Sequence, residues 1–341
     1  MTEESSTTSH LPVAMTTNGV DDTQTTIGDT MTSSSSSEHH FYFRCALVVI
    51  GVVGTAGNAL VLYALVVSKQ HKKHPMIVNQ NALDFFCSFF LVVSSAVKLC
   101  NICLTGTLGF WLCATIDCET FVSYGMYGSR ISIAAITVER YLKVVHPVWS
   151  RKNIRSWTIH STMAFCWLFG IVSVAFKFKV CRIKNGVCSY VMSKEMIGFG
   201  IWYILSFYVI IFAIFIFCYG RILVAIRRQA RVMAAHSAAG DSSTAQTLQS
   251  GQIQTNVIKT MILVSALYVI CHLLQAVLTI DRFVDGYGTI TYSYVDDVSR
   301  FIQFLYITAN PFIYATKFDP VKKVLKDMIP KCTGMPHNLV V

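Results

Sequence analysis

Four polar side chains, Asn58, Asp84, Ser129 and Asn310, stand in four separate runs of sequence that are otherwise strongly apolar. A polar group inside hydrocarbon is costly unless it is paired or hydrated, so each is a candidate for chemistry. Meeting at mid-depth, their oxygens would hold a hydrated monovalent cation such as sodium. A purely structural cluster that packs helices together is the competing reading. A second group, Glu139-Arg140-Tyr141, closes the third apolar run. There Glu139 would neutralise the Arg140 guanidinium at a membrane edge while a bundle is closed, although the triplet alone also fits an ordinary interfacial charge pair. No zinc-ligand spacing and no nucleophile motif occurs, so the chain is read as a non-enzyme that needs no cofactor beyond that ion.

The elements that position these groups are long and apolar. Of 341 residues, 53% are hydrophobic and only 13% charged, which sets the chain apart from a soluble domain. Apolar runs of about 20 residues, enough to cross roughly 30 Å of hydrocarbon as helix, recur at 45–67, 76–99, 113–142, 157–176, 197–222, 257–280 and 298–316. The expected fold is therefore all-α, a bundle of seven transmembrane helices.

The net charge of +10 is concentrated in the loops on one side. Lys69, Lys72 and Lys73 follow the first run, Arg151, Lys152 and Arg155 the third, Arg227, Arg228 and Arg231 the fifth, and Lys322, Lys323 and Lys326 the seventh. By the positive-inside rule these loops are cytoplasmic. This placement also makes nucleic acid a poor partner. The first 43 residues hold six acids and no Lys or Arg, so the amino terminus belongs outside. Three parts are expected: a disordered Ser/Thr-rich tail at 1–43, the membrane domain at 44–317, and an amphipathic helix with a short tail at 318–341. The tail has no stretch suited to a cleavable signal peptide, which leaves the first span as an uncleaved anchor. Residues 229–256 read as a flexible loop with helical extensions at both ends. The run from Phe318 to Ile329 places apolar residues on one helical face and lysines on the other, the pattern of a helix lying on a membrane surface.

The ordered set of motifs resembles the rhodopsin-like G-protein-coupled receptors. Their Asp/Glu-Arg-Tyr triplet is matched by Glu139, Arg140 and Tyr141, with Pro147 and Val148 following, and their first-span Gly-Asn by Gly57-Asn58. Asp84 matches the second-span aspartate, Trp167 the fourth-span tryptophan, Tyr219 the fifth-span tyrosine, and Asn310-Pro311-Phe312-Ile313-Tyr314 a complete NPxxY. The resemblance covers about residues 43–332. It implies a receptor at the plasma membrane whose sixth span swings outward on activation, so that Arg140, Tyr219 and Tyr314 meet a heterotrimeric G protein. It also implies a disulfide from the top of the third span to Cys188, with Cys113 the preferred partner and Cys118 the alternative, and a palmitoylation site at Cys332. Cys181 adds a fourth outer cysteine. Asn185-Gly186 between alternating residues marks a hairpin in that loop.

Three departures from the family stand out. Its sixth-span Trp and Pro are here His272 and Leu274, its fifth-span Pro is Ile211, and Arg130 takes a mid-membrane place that is normally apolar. A buried arginine must find a partner, and Tyr268, His272 or water are the candidates. The family resemblance implies a ligand pocket around Lys98, Val122, Met126, His272, Gln275, Arg300 and Phe304. Val122 stands where an amine receptor of the family has Asp, and no Lys lies in the seventh span to form a retinal Schiff base. Lys98 and Arg300 suit an anionic group such as a peptide carboxylate, unless Arg300 is simply paired with Asp296 or Asp297. The expectation is a receptor for an extracellular ligand, with a peptide favoured, that activates a G protein. The alternative is a seven-helix decoy or heteromer partner without G-protein output.

Overall fold

The computed structural model describes the backbone of residues 23–100, 102–184, 186–190, 194–237, 244–284 and 294–332. In chain order its helices are α1 (Thr23–Val67), α2 (Gln70–Lys73), α3 (Pro75–Leu99), α4 (Gly106–Leu112), α5 (Thr120–Val145), α6 (Pro147–Asn153), α7 (Ser156–Val174), α8 (Lys177–Val180), α9 (Lys194–Ser237), α10 (Thr244–Val284), α11 (Tyr294–Lys317) and α12 (Asp319–Cys332). A π-helical turn, Cys113–Asp117, precedes α5. Two antiparallel strands, β1 (Cys181–Lys184) and β2 (Val187–Tyr190), form the expected hairpin, with Cys181 opposite Tyr190 and Ile183 opposite Cys188. Gly186 adopts φ +76° at the turn, a conformation glycine enters without steric cost; Asn185 lies outside the described residues.

The seven long helices α1, α3, α5, α7, α9, α10 and α11 answer to the seven expected spans. Among the described residues, five of them contain windows apolar enough to cross a membrane unaided. The other two, α5 and α11, carry much of the buried polar set: Ser129, Arg130, Ser132, Thr137, Glu139 and Arg140 on α5, and Asp297, Ser299, Gln303, Thr308 and Asn310 on α11. These are inner helices whose polar groups face neighbouring helices rather than lipid. Accordingly α5 packs against α3, α7 and α9, and α11 packs against α10 and α3.

Two boundaries differ from expectation. The backbone is already helical from Thr23, within the segment read as disordered, and residues 1–22 lie outside the described residues. Extending an existing helix fixes one residue per hydrogen bond, which is far cheaper than starting one, so a Ser/Thr run of middling propensity continues the apolar span behind it. The chain divides into two units at Tyr42 and Phe43, and the bundle belongs wholly to the second. The helical extensions expected beside 229–256 are present in α9 and α10, while 238–243 lies outside the described residues.

Small residues set the closest helix contacts. A Cβ added at Gly57 would meet the Pro311 ring at 3.0 Å, so the first-span Gly-Asn pair lets α1 lie against the proline of α11. At Gly125 an added Cβ would come within 2.8 Å of Cys87 Cβ and 3.0 Å of its Cα. Since part of that obstacle is backbone, α3 and α5 would have to separate. Gly125→Ala is expected to destabilise the bundle by about 1–3 kcal/mol, read as lower apparent Tm and surface expression, whereas an unchanged Tm would show that the α3–α5 spacing yields freely.

Candidate functional site

The mid-bundle cluster forms around Asp84, which is fully buried on α3. Ser129 donates to its Oδ1 at 2.6 Å and Asn310 Nδ2 to its Oδ2 at 2.8 Å, which ties α3 to α5 and α11. Gln80, one helical turn earlier, adds its amide to both carboxylate oxygens at 3.2 Å and also reaches Ser129 Oγ. Its i−4 spacing from Asp84 was the signal that sequence reading passed over. Asn58 is brought to the same depth but uses its amide on the Gly54 carbonyl at 2.9 Å and the Ile307 carbonyl at 3.5 Å. The oxygens Asn58 Oδ1, Asn310 Oδ1 and Gln80 Oε1 are buried without a hydrogen-bond partner. A carboxylate, a hydroxyl and amide oxygens still lacking donors are a hard-oxygen set that fits a small cation.

At the other functional end, Arg140 and Glu139 lie together, with Nη2 3.6 Å from Oε2. Glu139 is shared with Lys143 at 2.6 Å. Arg140 has a further partner that sequence reading missed: its Nη2 donates to Nδ1 of His74 at 3.2 Å. His74 caps α3 immediately before Pro75, and its ring meets Phe318 edge-on at 5.7 Å. Contact between residues 66 positions apart leaves no local trace in the sequence. Tyr219 Oη lies 2.7 Å from Ser265 Oγ, 3.0 Å from Thr137 Oγ1 and 3.2 Å from the Met261 carbonyl, joining α5, α9 and α10. Tyr314 is 1% exposed, with no hydrogen-bond partner for its hydroxyl. Tyr141 is not brought to Arg140; its hydroxyl lies 3.2 Å from His146 Nε2 and its ring packs on Phe217. Pro147 opens α6, and Val148 is 84% exposed beside the half-exposed Trp149. The side chain of Cys332 lies outside the described residues.

At the hairpin end the disulfides are Cys113–Cys188, as preferred, and Cys118–Cys181, with Cα separations of 5.4 and 6.7 Å. They fasten both strands of the hairpin to the turn that leads into α5. Below them Glu119 binds Lys98 and, at 3.0 Å, Arg44. Lys177 Nζ donates to Ser123 Oγ at 2.6 Å and to the Cys118 carbonyl at 3.0 Å, and both Lys177 and Arg300 lie within electrostatic reach of Glu119. Two cations thus bind this carboxylate directly and two more lie within its electrostatic reach, with Asp117 as a second acid in the group. The remaining pocket candidates sit deeper. Val122, Phe304 and His272 are packed in the core at 2%, 5% and 1% exposure, Met126 is partly buried against it, and Gln275 accepts from Ser299 at 2.8 Å. His272 stacks on Tyr268 at 4.2 Å, near Tyr306.

The contact between His74 and Arg140 has a pH signature. Burial, and after it the positive charge of Arg140, hold the His74 imidazole down at about 4, so it stays neutral and can accept from the guanidinium. In the unfolded chain the ring takes up a proton near its ordinary 6.5, while the folded protein refuses it until about 4. The stability tied to neutral His74 is therefore complete above 6.5 and is lost as pH falls through that window. Between about pH 7.5 and about pH 5 the apparent Tm of purified protein should fall further in the parent than in His74→Gln, and equal falls would assign the acid sensitivity to other groups.

The chain was compared with known proteins. Residues 57–314 match the profile of the 7 transmembrane receptor (rhodopsin family). It is 26% identical to melanopsin-A of Gadus morhua over 329 residues, covering 91% of this chain and 56% of that one. Shorter matches include a C-X-C chemokine receptor type 5 of Homo sapiens, 27% identical over 41% of this chain and 37% of that one, and a galanin receptor 2b of Danio rerio, 32% identical over 30% and 27%. The chain spans about half to three fifths of the length of the melanopsins it matches. The crystal structure of squid rhodopsin has the same fold, with TM-score 0.70 and 15% identity over 87% of each chain. With three quarters of its length matched by this profile, the chain belongs to the rhodopsin family of seven-transmembrane receptors.

Proposed function

We propose that this receptor sits in the plasma membrane with its amino terminus outside, binds an extracellular peptide that carries an anionic group, and activates a heterotrimeric G protein. The observation that carries the reading is the closed latch on Arg140, made by Glu139 and His74 at the end where the basic loops gather. A guanidinium held by partners that separate when helices move is a charge that can be handed to another protein. The exposed Val148 and Trp149 on α6 supply an apolar contact beside it. For the ligand, Lys98 and Arg44 converge on Glu119 at the hairpin end, a carboxylate-binding chemistry that an anionic group of a peptide would share. The matches to a galanin receptor and a chemokine receptor support a peptide in the same direction. A photopigment is disfavoured despite the melanopsins, since α11 holds no lysine before Lys317 at its far end.

One observation favours a decoy or heteromer partner without G-protein output: α9 and α10 run as helices of 44 and 41 residues with no proline to kink them. Nucleotide exchange on purified G proteins separates the two. Removing one hydrogen bond from a charged group loosens the closed state by roughly 1.5–3 kcal/mol, so His74→Leu should raise ligand-independent exchange about tenfold or more, and Arg140→Ala should abolish it. Peptides with a free terminal carboxylate should activate the parent more strongly than their amidated forms, and Lys98→Met should erase the difference. Silence of parent and His74→Leu towards every G-protein class would leave the decoy reading.

The Asp84 cluster is proposed to hold sodium, with Asp84, Ser129 and the amide oxygens of Asn310 and Asn58 as its donors, so that the bound ion favours the closed bundle. Gln80 is its internal competitor, because its amide occupies the carboxylate lone pairs a cation would use. Replacing N-methylglucamine by sodium at constant ionic strength should raise the parent's apparent Tm. Gln80→Ala should sharpen the sodium response and Asp84→Asn remove it; an undiminished response in Asp84→Asn would place the ion elsewhere.

A further inference from the structure

Arg130 lies at mid-bundle on α5, 7% exposed, with no ion pair among the described residues. Neither expected protein partner hydrogen-bonds it. Among the described residues its one hydrogen bond is a long one, Nη2 to Gln303 Oε1 of α11 at 3.4 Å. The guanidinium carbon stands 5.4 Å from the ring centres of both Tyr127 and Tyr208, which face the cation with their π-electrons. Its Nε–H has no acceptor. Tyr268, fully buried on α10 and within electrostatic reach of Arg130, has a hydroxyl without a partner. His272, behind Tyr268, directs Nδ1 at the Tyr268 carbonyl at 2.9 Å, so it brings no negative charge.

The chemistry of this environment is one-sided. It holds a permanent cation, two aromatic faces, a neutral amide and two donors that nothing accepts. Aromatic faces and one long hydrogen bond do not replace the hydration that a buried guanidinium gives up, and a group of opposite charge does. A protonated arginine cannot escape by losing its proton, as a buried lysine does. The carboxylate of Asp84 is already engaged by Ser129, Asn310 and Gln80. Among the described residues no other acid supplies the counter-charge.

We propose that Arg130 anchors an anion site inside the bundle, which takes a small monoanion, either chloride or the carboxylate of a bound ligand, on Arg130 Nε–H with the Tyr268 hydroxyl as a second donor. The anion joins α5 to α10 next to Gln303 of α11, between the hairpin end and the Arg140 latch. Its presence biases how α10 packs on α5, so occupancy is felt at both ends.

The test uses the full chain, purified in detergent, with sodium and ionic strength held constant so that the Asp84 cluster sees no change. Chloride is titrated in place of gluconate, which is too bulky for the site, and then acetate and propionate in place of gluconate. The parent's apparent Tm is expected to rise by roughly 3 °C, growing with the logarithm of anion concentration once the site is filled. A rise with chloride alone identifies an inorganic ion, and a stronger response to acetate or propionate identifies a ligand carboxylate; both support the site. Arg130→Met should fold, since apolar residues often replace a buried charge without loss of stability, and should show no anion response. Should that variant not fold, Tyr268→Phe decides, with the onset of the rise shifted to higher anion concentration and a smaller rise at each concentration. A parent whose Tm ignores all three anions, or a rise of equal size in Arg130→Met or Tyr268→Phe, overturns the proposal.

Discussion

Hydrocarbon offers no hydrogen bonds, and that constraint organises this bundle: each polar group within the spans has to find a partner on another helix or on its own backbone. The solution is α5. Along one helix Ser129 meets Asp84, Arg130 meets Gln303, Ser132 meets Asn79, and Thr137 meets Tyr219. Asn79 continues the chain outward by accepting from Trp167 Nε1 at 2.9 Å, which fastens α3 to α7. Apolar packing between lipid-facing helices gives little preference for one arrangement, since lipid tails are as apolar as leucine. The polar contacts supply the preference. They fix which faces meet and at what depth, and the same contacts are the ones that must change when the bundle opens.

These contacts divide into a rigid and a movable half. Around Asp84 the partners come from α3, α5 and α11 and close on themselves, with glycine-mediated approaches at Gly125 and Gly57 behind them. Movement of α10 leaves that cluster intact. Among the described residues, the hydrogen bonds that cross to α10 join Tyr219 to Ser265 and Met261, Ser299 to Gln275, and Thr260 to the Lys317 carbonyl. Neutral hydrogen bonds of this kind contribute about 1 kcal/mol each. The junction of α3, α5 and α11 is thus closed around a charge, while α10 is held by neutral hydrogen bonds and by its packing against α11.

Sequence reading recovered the fold because the signals for it are local. Apolar run length, loop charge and the Asn185-Gly186 turn each depend on neighbouring residues, and so does the amphipathic run of α12. The Asp84 cluster and the choice of Cys113 for Cys188 were legible through the family motifs, which compress tertiary information into fixed spacings. The misses are tertiary contacts without a motif. His74 reaches Arg140 across the sequence, and Gln303 and the two tyrosine faces replace the partners expected for Arg130. The early start of α1 was hidden for the opposite reason: a Ser/Thr run has no apolar period to read, and its helicity is borrowed from the span that follows.

The three departures from the family are best understood together. A proline in a helix removes a backbone hydrogen bond and creates a place to bend; with Ile211 and Leu274 instead, α9 and α10 keep complete ladders and resist bending locally. An unbent helix can still move as a rigid rod, and for that it needs a weak seam rather than a hinge. The seam is where Arg130 sits: Tyr127, Tyr208 and Tyr268 border a charged side chain whose donors are incompletely used. A tight apolar triad would give α10 one preferred seating on α5. A guanidinium ringed by tyrosines tolerates several, because cation–π attraction varies gently with distance and direction whereas interlocked aliphatic side chains do not. Loss of the bend and gain of the buried charge are then two halves of one change, in which the freedom that relatives place inside the helices lies here between them.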